Sequence, residues 1–73
     1  MKNKKGTKNG VEWWMSCEGD IVIINTQKKG SREQFRAVHT CEYPKVDRKY
    51  DPRDIKAVES LLAREIELTS KGK

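Results

Sequence analysis

Apolar residues are scarce in this chain. They make up 34% of its 73 residues, while charged residues make up 37%; an average globular domain has roughly 45–50% and about 25%. No apolar run approaches the ~18 residues of a membrane-spanning helix. The longest, Ile21-Val22-Ile23-Ile24, has the length of a strand. No apolar stretch follows the basic start, so neither a secretory signal nor a membrane partner is expected. A glycine-rich phosphate loop is missing. Histidine occurs once and cysteine twice. Together these shortages argue against a multidomain enzyme, a transporter or a deep substrate pocket. They favour a single small binding domain, expected in the cytoplasm.

What the chain does have is an uneven distribution of charge. The net charge is +5, and residues 1–10 hold Lys2, Lys4, Lys5 and Lys8 with no acid. Residues 11–41 balance four bases against four acids, and residues 42–73 carry eight bases and seven acids. The remainder of the chain is therefore nearly neutral. That is unlike a nucleic-acid-binding domain with a basic stripe on its folded surface. Residues 1–10 read as a disordered basic arm, free to touch an acidic surface or nucleic acid through its four lysines. Residues 11–73 read as one small α+β domain.

Within that domain the pattern predicts three strands and a helix. Val11 to Cys17 carries Val, two Trp and Met without Gly or Pro, and Ile21 to Thr26 is β-branched at nearly every position. Glu18-Gly19-Asp20 separates them as a tight turn. Glu33 to Cys41 alternates Phe35, Ala37 and His39 with Gln34, Arg36 and Val38, as a third strand does. The three runs make an antiparallel meander. The period then changes. Asp51 is a good N-cap, Pro52 suits the first helical position, and Ile55, Val58, Leu62 and Ile66 recur at helical spacing. A C-terminal helix is predicted from about Pro52 to about Ser70.

One helix covers only one face of a sheet, yet these strands are apolar on both. Trp13 and Trp14 are adjacent and must point to opposite faces, as must Val22 and Ile23. The surplus face therefore calls for a cover, either a protein partner or the chain's own arm or 42–49 loop with Tyr43 and Tyr50. The candidate contact residues are Trp14 and Arg36 on neighbouring strands, with Lys28, Lys29 and Arg32 as a cationic rim. A homodimer or weak dimer through this face is a second way to cover it. A small DNA- or RNA-binding protein is the alternative function. It would use Trp13, Trp14, Phe35 and Tyr43 to stack bases, and nearby Lys and Arg to hold phosphate.

Cys17, His39 and Cys41 invite other chemistry. A structural zinc site takes four ligands, and here a single His-x-Cys pair has one distant cysteine for company. No metal or other cofactor is expected. A Cys17–Cys41 bridge is not expected either, because the middle strand would lie between them and two strand spacings of roughly 9–10 Å exceed bridging distance. Cys41 and His39 as a nucleophile pair lack a third orienting group. Enzymatic activity is not expected.

With its lysine-rich start, short meander, single helix and surplus apolar face, the chain resembles the small phage-encoded transcription regulators that bind bacterial RNA polymerase. The resemblance covers the whole chain in length, charge layout and general character. It implies a non-catalytic protein in the cytoplasm of a bacterial host. Such a protein would bind a polymerase subunit and inhibit or redirect transcription, by displacing sigma or by antitermination. No binding residue is carried over from it.

Overall fold

A computed structural model describes residues 1–72. Its elements are β1 (Lys4–Lys8), β2 (Val11–Glu18), β3 (Ile21–Lys28), β4 (Gln34–Thr40) and α1 (Pro52–Ser70). The strands form one antiparallel sheet in the order β1-β2-β3-β4. The α+β class, the meander and the C-terminal helix agree with the sequence reading.

The N-terminus departs from it. Lys4–Lys8 is an ordered edge strand, so the sheet has four strands and the basic segment is no disordered arm. The cause is local. Asn9 and Gly10 take φ of 52° and 73°, the two successive positive values of a type I′ turn. That turn prefers Asn-Gly because its twist matches paired strands. The lysines guard the sheet edge against pairing with other chains. The Asn3 Oδ1 accepts a 2.8 Å bond from the Cys17 backbone N–H and extends the attachment. Gly6 faces Trp13 across the pair. A Cβ at Gly6 would lie 2.7 Å from Trp13 Cζ2, so glycine's missing side chain is what lets the indole lie over the edge strand.

Strand register settles which face is which. Met15 pairs with Ile24, and Ile24 with Ala37. Val22, Ile24 and Thr26 alternate onto one face, are almost fully buried, and meet the helix. Trp13, Met15 and Cys17 share that face on β2, and Phe35, Ala37 and His39 share it on β4. Val58, Leu61 and Leu62 close it from α1. Burying a side chain such as Ile24 contributes about 1.5–3 kcal/mol. Where the last turn of α1 meets the end of β3, the buried Thr26 and Thr69 hydroxyls lie 2.7 Å apart. Among the described residues no buried side-chain N or O lacks a partner.

The helix begins as its sequence predicts. The Asp51 carboxylate accepts from the Arg53 N–H at 2.8 Å, and Pro52 opens the first turn. The segment between β4 and α1 folds back on itself at Asp47 and Arg48, with Val46 bridging to Lys49. Tyr50 packs against the core, and its hydroxyl donates to the Gly19 carbonyl at 3.2 Å. Tyr43 lies under the Arg53 guanidinium, 3.5 Å from it. Both tyrosines thus serve the helix side. Met1 also packs against that core, so neither the N-terminus nor the 42–49 loop covers the second face.

Candidate functional site

The second face is open. Its central row, read across the sheet, is Lys5, Trp14, Asn25 and Arg36. The row beside it runs Ser16, Ile23, Val38, and beyond that lie Glu18, Ile21 and Thr40. On the other side of Trp14 stand Thr7, Glu12, Gln27 and Gln34, the two glutamines joined by a 3.1 Å side-chain bond. Ile23 is only 7% exposed although no second layer lies over it; its cross-strand neighbours are Ser16 and Val38. Val38 is 51% exposed. Trp14 is half-buried and stands between two shallow clefts of about 390 and 320 Å³, both bordered by Lys5. The strand register gives this face Lys5 and Arg36 against Glu12 and Glu18, so its formal charges cancel.

The residues singled out in the sequence divide between several places. Trp14 and Arg36 share one row of the open face, separated by Asn25. Lys28 ends β3 on the helix side, while Lys29 and Arg32 lie in the exposed β3–β4 connection, at one end of the sheet. The N-terminal lysines do not act as one group. Lys5 faces outward next to Trp14, Lys4 and Lys8 alternate to the helix side, and Lys2 precedes the strand. Lys5 joins the open face only because β1 exists. Its signal was Asn9-Gly10 following the alternating Lys4-Lys5-Gly6-Thr7-Lys8 run.

A second constellation lies on the opposite side of the sheet, where β4 runs into the loop before α1. The Cys41 N–H donates to the Asp20 carbonyl at 2.7 Å, carrying the extended chain one residue past β4. His39 and Cys41 therefore keep the same side. Asp54, in the first turn of α1, is 2% exposed. Its Oδ1 accepts from the Glu42 N–H at 3.0 Å and lies 3.1 Å from His39 Nε2, and its Oδ2 accepts from the Tyr43 N–H at 3.2 Å. Burial works to raise this carboxyl's pKa; the Glu42 N–H, the His39 ring and the Tyr43 N–H outweigh it and hold the pKa below the ordinary value. One donor atom from each of His39, Cys41 and Asp54 lies within 4.8 Å of the others.

Asp54 supplies the orienting group that the His39–Cys41 pair lacked in the sequence reading. The thiol is nevertheless pushed up in pKa, first by burial and then by the charges of Asp54 and Asp20. An activated nucleophile needs the opposite shift. Both cysteines are free thiols. No helix of the described residues is long and apolar enough to cross a membrane.

No family model, curated protein or solved structure matches the chain.

Proposed function

We propose that the chain is a non-enzymatic binding module that docks a partner protein on the open face of its sheet. The observation that carries this reading is the apolar centre made by Trp14, Ile23 and Val38 on a face that no other element covers among the described residues. Lys5 and Arg36 flank that centre, at the two ends of the Trp14 row. A half-buried Trp beside an Arg is the composition of an interface anchor. The balanced charge of the face favours a protein partner with an apolar centre over a phosphate backbone, which rewards a concentration of cations. The cations at the face's edges suit acidic groups on the partner's rim.

The resemblance to small phage transcription regulators makes bacterial RNA polymerase the first partner to test. Binding there would alter transcription by occupying a site or shifting a conformational equilibrium, with no catalytic step in this chain. The experiment is sedimentation of the purified chain with bacterial core polymerase, for the wild type and for Trp14→Ser and Arg36→Glu. Complex formation is expected, weakened by Trp14→Ser at least about thirtyfold, the equivalent of a hot-spot loss of about 2 kcal/mol. Undiminished binding by both variants refutes the open face as the contact. A wild type that ignores polymerase but binds a single-stranded oligonucleotide, with affinity falling steeply in salt, moves the reading to nucleic acid.

A further inference from the structure

We infer that His39, Cys41 and Asp54 form a divalent transition-metal site suited to zinc. The cluster lies on the helix side of the sheet, so this inference is independent of docking on the open face. Two parts of the chain supply it: the end of β4, with His39 next to last and Cys41 just past it, and the first turn of α1. Their donor atoms are an imidazole nitrogen, a thiol sulfur and a carboxylate oxygen, all within 4.8 Å of one another.

The chemistry of this set is selective. Nitrogen and sulfur donors suit a borderline-soft ion and argue against magnesium or calcium, which take oxygen. Bonds of about 2.0–2.3 Å in a tetrahedron place ligand atoms roughly 3.3–3.7 Å apart. His39 Nε2 and Asp54 Oδ1 already stand 3.1 Å apart. The Cys41 Sγ lies within 4.8 Å of the other two donors and would have to draw closer as the ion binds. The Glu42 and Tyr43 N–H groups hold the carboxylate in place with or without the ion, as outer partners do in metal sites. In the metal-free chain His39 Nε2–H donates to Asp54 Oδ1; binding zinc requires the other imidazole tautomer, with its proton on Nδ1, so that Nε2 and the carboxylate both present lone pairs to the ion. Cys41 binds as thiolate, and its proton leaves to solvent. His39 is 16% exposed, which leaves a route from solvent to the site. Three protein ligands leave a fourth position for water or for a donor from a partner.

From the sequence alone, His and Cys give too few ligands for zinc, and an aspartate at a helix start looks like an ordinary first-turn carboxylate.

The test is titration of the reduced full-length chain with cobalt(II), a spectroscopic stand-in for zinc. The expected result is one equivalent bound per chain, with a thiolate-to-cobalt charge-transfer band and the visible bands of tetrahedral cobalt. Zinc should displace it and raise the thermal midpoint. Cys41→Ser should abolish the charge-transfer band, and Cys17→Ser should leave it intact. His39→Gln should weaken binding at least tenfold; if that variant fails to fold, the cysteine pair alone decides. A cobalt spectrum that stays octahedral without a thiolate band overturns the inference. So does a band that survives Cys41→Ser.

Discussion

Replacing Thr26 or Thr69 by valine removes one member of a buried polar pair between the last turn of α1 and the end of β3. Each residue is 1% exposed, and their hydroxyl oxygens are 2.7 Å apart. Valine keeps the shape of threonine, and the two have similar helix propensity, so the swap at Thr69 isolates the hydroxyl. In β3, valine is as well suited to a strand as threonine. A single swap strands the opposite hydroxyl in the core, at a cost of about 1–3 kcal/mol. A chain of 73 residues has a total stability of only about 4–11 kcal/mol. A loss of ~1.5 kcal/mol should lower the thermal midpoint by roughly 6–12 °C. The double variant leaves no hydroxyl stranded and should be at least as stable as either single one. The assay is urea unfolding of the wild type, both singles and the double, with the slope checked for constancy. A coupling of order 1 kcal/mol is expected. Additivity of the two single losses to within about 0.5 kcal/mol would refute the claim that these hydroxyls satisfy one another.

The assignment of faces on β3 and β4 predicts that Ile24→Ala costs about 2–5 kcal/mol, whereas Val38→Ser changes stability by no more than about 0.5 kcal/mol. Equal losses measured by denaturant unfolding would refute this assignment of faces. At Gly6, substitution by Val drives a side chain into the Trp13 indole, which a Cβ alone would approach to 2.7 Å. The near-ultraviolet circular dichroism of Trp13 should change and the thermal midpoint should fall; an unaltered spectrum contradicts the close approach. The Asp51 carboxyl is held down to about 2 from 3.8, first by its side-chain bond from Arg53 and then by the Arg53 N–H. Because the folded value is the lower one, the unfolded chain takes up this proton first. The stabilisation is complete above pH ~4 and is lost as pH falls from there towards 2. Asp51→Asn keeps an N-cap side chain but removes the charge and should flatten that part of the stability-against-pH curve; an identical curve for variant and wild type would discount the Asp51–Arg53 pairing.

Much of this fold was readable wherever a periodic pattern met a clear start or stop. The helix bounds agree with the sequence because Asp51, Pro52 and the Ile55–Val58–Leu62–Ile66 stripe all act locally. The meander order and the opposed tryptophans follow from short turns and a period of two. The N-terminal strand was hidden by its composition. Lys4–Lys8 has nothing to bury by itself, and its order comes from pairing with β2, from the Asn9–Gly10 turn, and from Trp13 lying over Gly6. Composition points to disorder, and the Asn9-Gly10 turn, which the sequence reading does not weigh, holds the hairpin signal.

The candidate sites divide along the same line. The sequence reading puts Trp14 and Arg36 on neighbouring strands; in the sheet they lie on β2 and β4, with β3 between them. That they share a row required the register, which aligns both with Asn25. Which face the helix takes depends on long-range contacts such as Thr26 with Thr69, and a one-residue slip in register would exchange the two faces. The His39–Cys41–Asp54 cluster is a product of tertiary structure alone. It exists because the chain turns after β4 and the first turn of α1 returns beside it, pinned by the Glu42 and Tyr43 N–H groups. The sequence by itself determined the local elements, since capping, turn preference and side-chain period act between near neighbours. The tertiary structure alone decided which surface stays open and which polar groups converge, because those depend on contacts between residues far apart in the chain.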